Sequence, residues 1–219
     1  MVHQALKALV FFDCDGVLTV QQSSWGVLHD YFGSKDNSYF ADLYRRGLIS
    51  YLDWMKIDIA LMIHSYGNPI TREEVEKALS TIKIRRNAKK TIEILKKQGF
   101  IPIVISSGVD LLVRRVCSQL DIDECYYNEL LFVDNELIPG GIPRVPPDKK
   151  HKIIREIANH HGVPIDKTIY IGDSSWDIDV FRNVGISFAV NPCGTACSYA
   201  DYVVNDLVEI HEYLKKLFG

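Results

Sequence analysis

The segment Phe11-Phe12-Asp13-Cys14-Asp15-Gly16 places two carboxylates two residues apart where an apolar run ends. Residues at that spacing in extended chain project to the same side, so Asp13 and Asp15 can face one ligand. Such a pair has three physical uses: holding a hard cation, dividing the roles of nucleophile and general acid, or capping a turn. A calcium loop of the EF-hand kind needs a third oxygen ligand two residues on and a closing Glu. Position 17 is Val and no Glu follows nearby.

Three further segments have a similar character. Val104-Ile105-Ser106-Ser107-Gly108 offers hydroxyls and backbone N–H groups at a helix entrance, which suits a phosphate oxygen as well as an ordinary N-cap. Lys149-Lys150-His151-Lys152 opens a helical stretch, where the helix dipole disfavours cations; a lysine reaching a phosphate or a solvated basic face accounts for it. Tyr170-Ile171-Gly172-Asp173-Ser174-Ser175-Trp176-Asp177 sets two acids four apart. Asp173 can complete an oxygen shell for Mg²⁺ with Asp13 and Asp15, and Asp177 can ligate or orient a metal-bound water; a helix N-cap is the alternative. Each segment alone is a weak signal, but the four in order point jointly to catalysis.

The elements that position them read as an alternation. Short apolar runs at Ala8 to Phe12, Ile101 to Ile105, Thr168 to Ile171 and Ser187 to Val190 are expected as buried strands. Amphipathic stretches at Ala88 to Gln98, Leu111 to Leu120 and Lys149 to His161 lie between them, the first and third closed by Gly99 and Gly162. The order implies an α/β fold, a parallel sheet with helices on both faces, with ligands bound outside the carboxyl ends of the strands. About ninety residues separate the first two strands, where a crossover needs only about a dozen. An inserted helical cap over 21–84 is therefore expected, leaving 1–20 and 85–219 as the catalytic core. Within the cap, Thr71-Arg72-Glu73-Glu74 has capping-box spacing. Leu130 to Val133 and Glu136 to Ile138 flank Asp134-Asn135 as a hairpin.

Bulk properties narrow the setting. The 219 residues are 47% hydrophobic and 24% charged with a net charge of −3, an ordinary globular composition with no general attraction for nucleic acid or anionic lipid. Met1 to Lys7 has no leader pattern and no apolar run approaches a membrane span, so a cytoplasmic protein is expected. Five cysteines, an odd number, favour reduced thiols, with Cys193 and Cys197 as packing or loop positions rather than metal ligands.

The four segments resemble the motifs of the haloacid dehalogenase superfamily of phosphohydrolases: an Asp-x-Asp pair, a Ser or Thr, a Lys, and Gly-Asp-x-x-x-Asp. The match covers nearly the whole chain. The early helical cap and the stretch from Gly99 to Asp110 look most like the phosphoserine phosphatases. The resemblance implies a Rossmann-like core and a small phosphate ester as substrate. It implies Asp13 as nucleophile, Asp15 as acid then base, and Ser106, Ser107 and Lys150 on the phosphate. Lys150 is preferred over Lys149 and Lys152 for its distance from Gly162. The implied Mg²⁺ shell is the Asp13 carboxylate, the Asp15 carbonyl and Asp173, with Asp177 close behind. Gln22 and Lys56 fall where this group carries a cap Glu and Arg that hold an amino acid's ammonium and carboxylate, and Trp176 stands where Asn is usual. Gln lacks the charge for an ammonium and Lys lacks the planar fork that suits a carboxylate. Cap aromatics, including Trp25 and Trp54, are expected as core, and Arg45, Arg46, Arg85 and Arg86 as solvated charge.

Overall fold

Leu9–Phe12 (β1) is a strand buried on both faces, and it lies at the centre of a seven-stranded sheet. The computed structural model describes residues 8–35 and 38–218; Met1 to Lys7, read above for a leader, lie outside the described residues. The other strands are β2 (Ile101–Val109), β3 (Glu124–Val133), β4 (Glu136–Ile142), β5 (Thr168–Gly172), β6 (Ile186–Val190) and β7 (Tyr202–Val204). Their order across the sheet is β4-β3-β2-β1-β5-β6-β7, parallel throughout except for the β3–β4 hairpin. The chain runs outward from β1 in both directions, so the crevice of a doubly wound sheet opens at the carboxyl end of β1, where Asp13 follows.

The two-residue period of β1 divides the core. Val10 and Phe12 join one apolar cluster while Leu9 and Phe11 join the other. Ala88–Lys97 (α5), Asp110–Leu120 (α6) and Val208–Phe218 (α9) bury Ile92, Leu95, Leu112, Val116, Ile210 and Leu214 in the first. Lys150–His160 (α7) and Ile178–Phe181 (α8) bury Ile154, Ile157, Val180 and Phe181 in the second.

Four helices fill the long interval after β1: α1 (Ser24–Tyr31), α2 (Ser38–Arg45), α3 (Tyr51–Tyr66) and α4 (Arg72–Ser80). Capping boxes start α3 at Ser50/Asp53 and α4 at Thr71/Glu74, the latter as its spacing predicts. Gly67 closes α3 in the left-handed region at φ 73°. The chain leaves and re-enters side by side: Thr19 bridges Ile84, Val20 N–H donates to the Lys83 carbonyl at 2.9 Å, and Arg85 N–H donates to the Leu18 carbonyl at 2.8 Å. Leu28, Phe32, Ile59, Met62, Val75 and Leu79 from these helices share one continuous apolar cluster with Val104 and Val109 of β2. Each fully buried aliphatic or aromatic side chain contributes on the order of 1.5–3 kcal/mol, so this shared cluster holds the helices against the sheet.

Three features differ from the sequence reading. Strand β2 continues through Ser106, Ser107 and Gly108 to Val109 instead of ending at Ile105. Its register with β3 shifts between Ile105 and Val109, so regular pairing is interrupted where these residues lie. β7 is three residues long, too short to carry a periodic signal. Cys193 and Cys197, expected as free thiols, are joined in a disulfide, because the 3₁₀ turn Gly194–Ser198 brings their Cα atoms to 5.3 Å. Cys14, Cys117 and Cys125 are free thiols. The Asp134-Asn135 hairpin forms as read, with φ of 46° and 69° matching a two-residue primed turn.

Candidate active site

Asp13 is placed by β1 and held at its carboxyl end, its backbone N–H donating to the Ile171 carbonyl of β5 at 2.9 Å. The chain then turns sharply through Gly16, whose φ of 72° suits glycine. A Cβ on Gly16 would come within 1.9 Å of Asp173 Oδ2, so the missing side chain is what lets β1 and β5 bring their acids together. Arg85, read as surface charge, clamps this turn by donating to the carbonyls of Gly16 at 2.6 Å and Val17 at 3.0 Å.

Of the three lysines at the start of α7, Lys150 alone is buried, at 1% exposure; Lys149 and Lys152 are exposed. Its ammonium donates to Asp13 Oδ2 at 2.7 Å, Asp177 Oδ1 at 2.9 Å and the Tyr170 hydroxyl at 3.1 Å. Burial opposes its charge, but Asp13 and Asp177 outweigh that and hold it above the ordinary lysine value. Both oxygens of Asp177 are engaged. Oδ1 also takes the Tyr170 hydroxyl, while Oδ2 accepts from the Asp173 and Ser174 N–H groups and the Ser174 hydroxyl. Burial works against the Asp177 carboxylate, yet Lys150 and these donors keep it below the usual range. Asp177 thus orients Lys150 and the turn carrying Asp173.

Asp13, Asp173 and Asp177 each bring an oxygen to within 4.8 Å of the others. Burial, with the charges of Asp13 and Asp177, pushes Asp173 up to about 8. Burial pushes Asp13 up to about 7 despite Lys150. The single Lys150 cation therefore leaves negative charge uncompensated, and an all-oxygen donor set suits a hard divalent cation such as Mg²⁺. The residues present fit the ion: Asp13 and Asp173 would hold it, with Asp177 behind them.

Asp15 is oriented by Ser24 at the start of α1, whose N–H and hydroxyl donate to Oδ2 at 2.8 and 2.6 Å. Its Oδ1 has no hydrogen-bond partner among the described residues. Burial raises its pKa, and the Ser24 bonds hold back part of that rise. Ser106 is buried and accepts from the Gly108 N–H at 3.0 Å, leaving its hydroxyl proton for a ligand. The Ser107 hydroxyl has no partner among the described residues, while its carbonyl accepts from Asn128 at 2.9 Å, Tyr51 at 2.8 Å and Trp25 at 3.4 Å. Gly108 is required as well, since a Cβ there would meet Ser24 Oγ at 2.7 Å and Asp15 Oδ2 at 2.9 Å.

These groups open into a cavity of about 300 Å³ that Trp25, Arg45, Tyr51, Trp54, Met55, Asp58 and Trp176 also line. Of the two cap positions named from sequence, Gln22 reaches the site, but it donates to Asp173 Oδ2 at 3.3 Å and the Pro192 carbonyl at 3.0 Å. Lys56 is exposed on α3 and does not line the cavity; Met55 and Asp58 of the same helix do. Sequence reasoning gave no role to Ser24, Tyr170, Asn128 or Asp58, and it read Arg85 as solvated charge where the structure has it on the Gly16 and Val17 carbonyls. Tyr170 was within reach, as the polar residue of a buried strand three before Asp173.

Comparison with known proteins shows the family of the chain. The chain is 25% identical over 214 residues to a phosphoserine phosphatase of Methanocaldococcus jannaschii, covering 95% of this chain and 98% of that protein. It is 27% identical over 188 residues to the phosphoserine phosphatase SerB2 of Mycobacterium tuberculosis, covering 84% of this chain and 44% of that protein. A solved structure of a phospho-aspartyl intermediate analogue of phosphoserine phosphatase superposes with a TM-score of 0.80 at 24% identity, covering 95% of this chain and 99% of that one. The family model of the haloacid dehalogenase-like hydrolases matches residues 10–182, and the chain belongs to that family.

Proposed function

We propose that the chain is a Mg²⁺-dependent phosphatase that hydrolyses a small phosphate monoester through a phosphorylated Asp13. The observation that carries this reading is the placement of Asp13 at the end of the central strand, 2.7 Å from the buried Lys150 ammonium and beside Asp173 and Asp177. An Asp13 carboxylate oxygen attacks phosphorus, and the bond from phosphorus to the ester oxygen breaks. Asp15 gives its proton to the departing alkoxide, a role that its raised pKa supports. Asp15 then takes a proton from water as that water attacks phosphorus, and the bond to Asp13 breaks to release phosphate. Ser106, Ser107 and Lys150 hold the phosphate oxygens during both steps. Bound Mg²⁺ supplies charge neutralisation at the transferring group.

Phosphoserine, the substrate named for the relatives, is the first ester to test. Asp13→Asn is expected to abolish phosphate release from p-nitrophenyl phosphate and phosphoserine. A chelator is expected to do the same to the unaltered protein, reversibly on adding Mg²⁺. Undiminished turnover by the variant would sink the proposed mechanism.

A further inference from the structure

A second cavity of about 290 Å³ adjoins the first, walled by Tyr44, Gly47, Asp148, Ser175 and Asp179. Arg45, Pro147 and Trp176 line both, so these three residues form the partition between them. Trp176 is its rigid member. The ring belongs to the turn Ser175–Asp177, where the Asp177 N–H donates to the Ser174 carbonyl at 3.0 Å and the Asp177 carboxylate accepts from Lys150 at 2.9 Å. Tyr44 and Trp54 pack against the indole, each with ring centroids 6.0 Å away, and the Arg45 guanidinium covers it at 4.3 Å. Tyr44 is itself tied down, its hydroxyl donating to Asp148 Oδ1. Arg45, by contrast, is an exposed long side chain with many rotamers, and Pro147 presents only a small ring.

We propose that Trp176 sets how long the alcohol portion of the substrate can be, so that the preferred class is phosphate esters of short alcohols. With the phosphate held at Asp13 and Lys150, the span left for the alcohol ends at the indole, whose turn is bonded to the same Lys150 through Asp177. A ring packed against two others yields little, because moving it forfeits those contacts. An ester that stops short of the ring fits the cavity, whereas a longer one meets the indole and is discriminated against by steric exclusion. Beyond the ring, Asp148, Ser175 and Asp179 offer polar partners to a hydroxylated chain, so removing the indole opens room of a usable kind.

This inference rests on the phosphatase reading, and the two fail differently. The decisive comparison is kcat/KM for glycerol 1-phosphate against glucitol 6-phosphate, both esters of a primary hydroxyl that differ in chain length, with p-nitrophenyl phosphate as a general substrate. The unaltered protein is expected to favour the shorter ester by about tenfold or more. Trp176→Ala is expected to bring that ratio down towards unity. A purely structural role for the ring would lower both rates together and leave the ratio where it was, so an unchanged ratio in a folded Trp176→Ala protein overturns the assignment. Trp176→Phe keeps a ring against Tyr44 and Trp54 and serves where the alanine variant does not fold; it should move the ratio the same way by a smaller factor, and an unmoved ratio in it counts equally against the proposal. Equal rates on the two polyol esters in an unaltered protein that hydrolyses p-nitrophenyl phosphate overturn the length limit and leave the phosphatase standing. Silence on all three esters with Mg²⁺ present removes the phosphatase reading and this one with it.

Discussion

Ser24 donates both its backbone N–H and its hydroxyl to one oxygen of Asp15, at 2.8 and 2.6 Å, and leaves the other oxygen uncommitted among the described residues. The entrance of α1 therefore fixes which side of the acid faces the chemistry. Ser24→Ala removes one charge-assisted bond, worth about 1.5–3 kcal/mol when made to an ionised group. We expect kcat to fall by roughly tenfold or more. The bond favours the ionised form, so its loss raises the Asp15 pKa further, and the matching limb of the pH–rate profile should move to higher pH. A Ser24→Ala profile that overlays the parent would show that Ser24 only caps the helix.

Lys150 is enclosed by Asp13, Asp177 and Tyr170. Lys150→Met leaves two buried carboxylates facing each other, and breaking a buried pair from one side costs about 3–5 kcal/mol. The variant should melt at markedly lower temperature and show no turnover. Thermal unfolding followed by circular dichroism checks the first, and a variant as stable as the parent would contradict the role given to this lysine.

Stability should depend on pH and metal together. In the metal-free protein Asp173 is pushed from 3.8 up to about 8, by burial first and then by Asp13 and Asp177. Between those values the folded state holds a proton that the unfolded chain has lost, so stability falls as pH rises through this window. Mg²⁺ binds the ionised form and should offset the loss, raising Tm more at pH 8 than at pH 5. At about 100 times its Kd the gain is on the order of 5–10 °C. Melting curves with and without chelator at the two pH values test this, and an equal shift at both would count against it.

Gly16→Ala tests the contact between the first and last acidic motifs. It asks a Cβ to occupy a point 1.9 Å from Asp173 Oδ2 and an L-residue to adopt φ 72°. The backbone cost alone is about 1–2 kcal/mol. Displacing Asp173 should weaken Mg²⁺ binding by at least tenfold, read by calorimetric titration. Unchanged affinity would mean that Asp173 does not need this close approach.

The acids of the site were legible because each follows an apolar run, and the sheet period that buries the run fixes where its end must lie. Lys150 could be separated from Lys149 and Lys152 only by resemblance; the structure separates them by burial. Ser24 was hidden because its contact with Asp15 depends on the turn at Gly16 folding the chain back. Asp58 and Trp25 were hidden because the facing of one helix towards another is set by packing among α1, α3 and the sheet rather than by local periodicity. The disulfide was hidden because a turn of five residues decides whether two cysteines four apart can meet.

The Ser107 carbonyl takes donors from Trp25 on α1, Tyr51 on α3 and Asn128 on β3. Two of the three belong to the helices that wall the cavity, whereas Asn128 is moored to the Val145 backbone at both ends of its amide. The seating of α1 and α3 and the position of the strand end bearing Ser106 are therefore tied together at this one carbonyl, so a change in either is felt by the other.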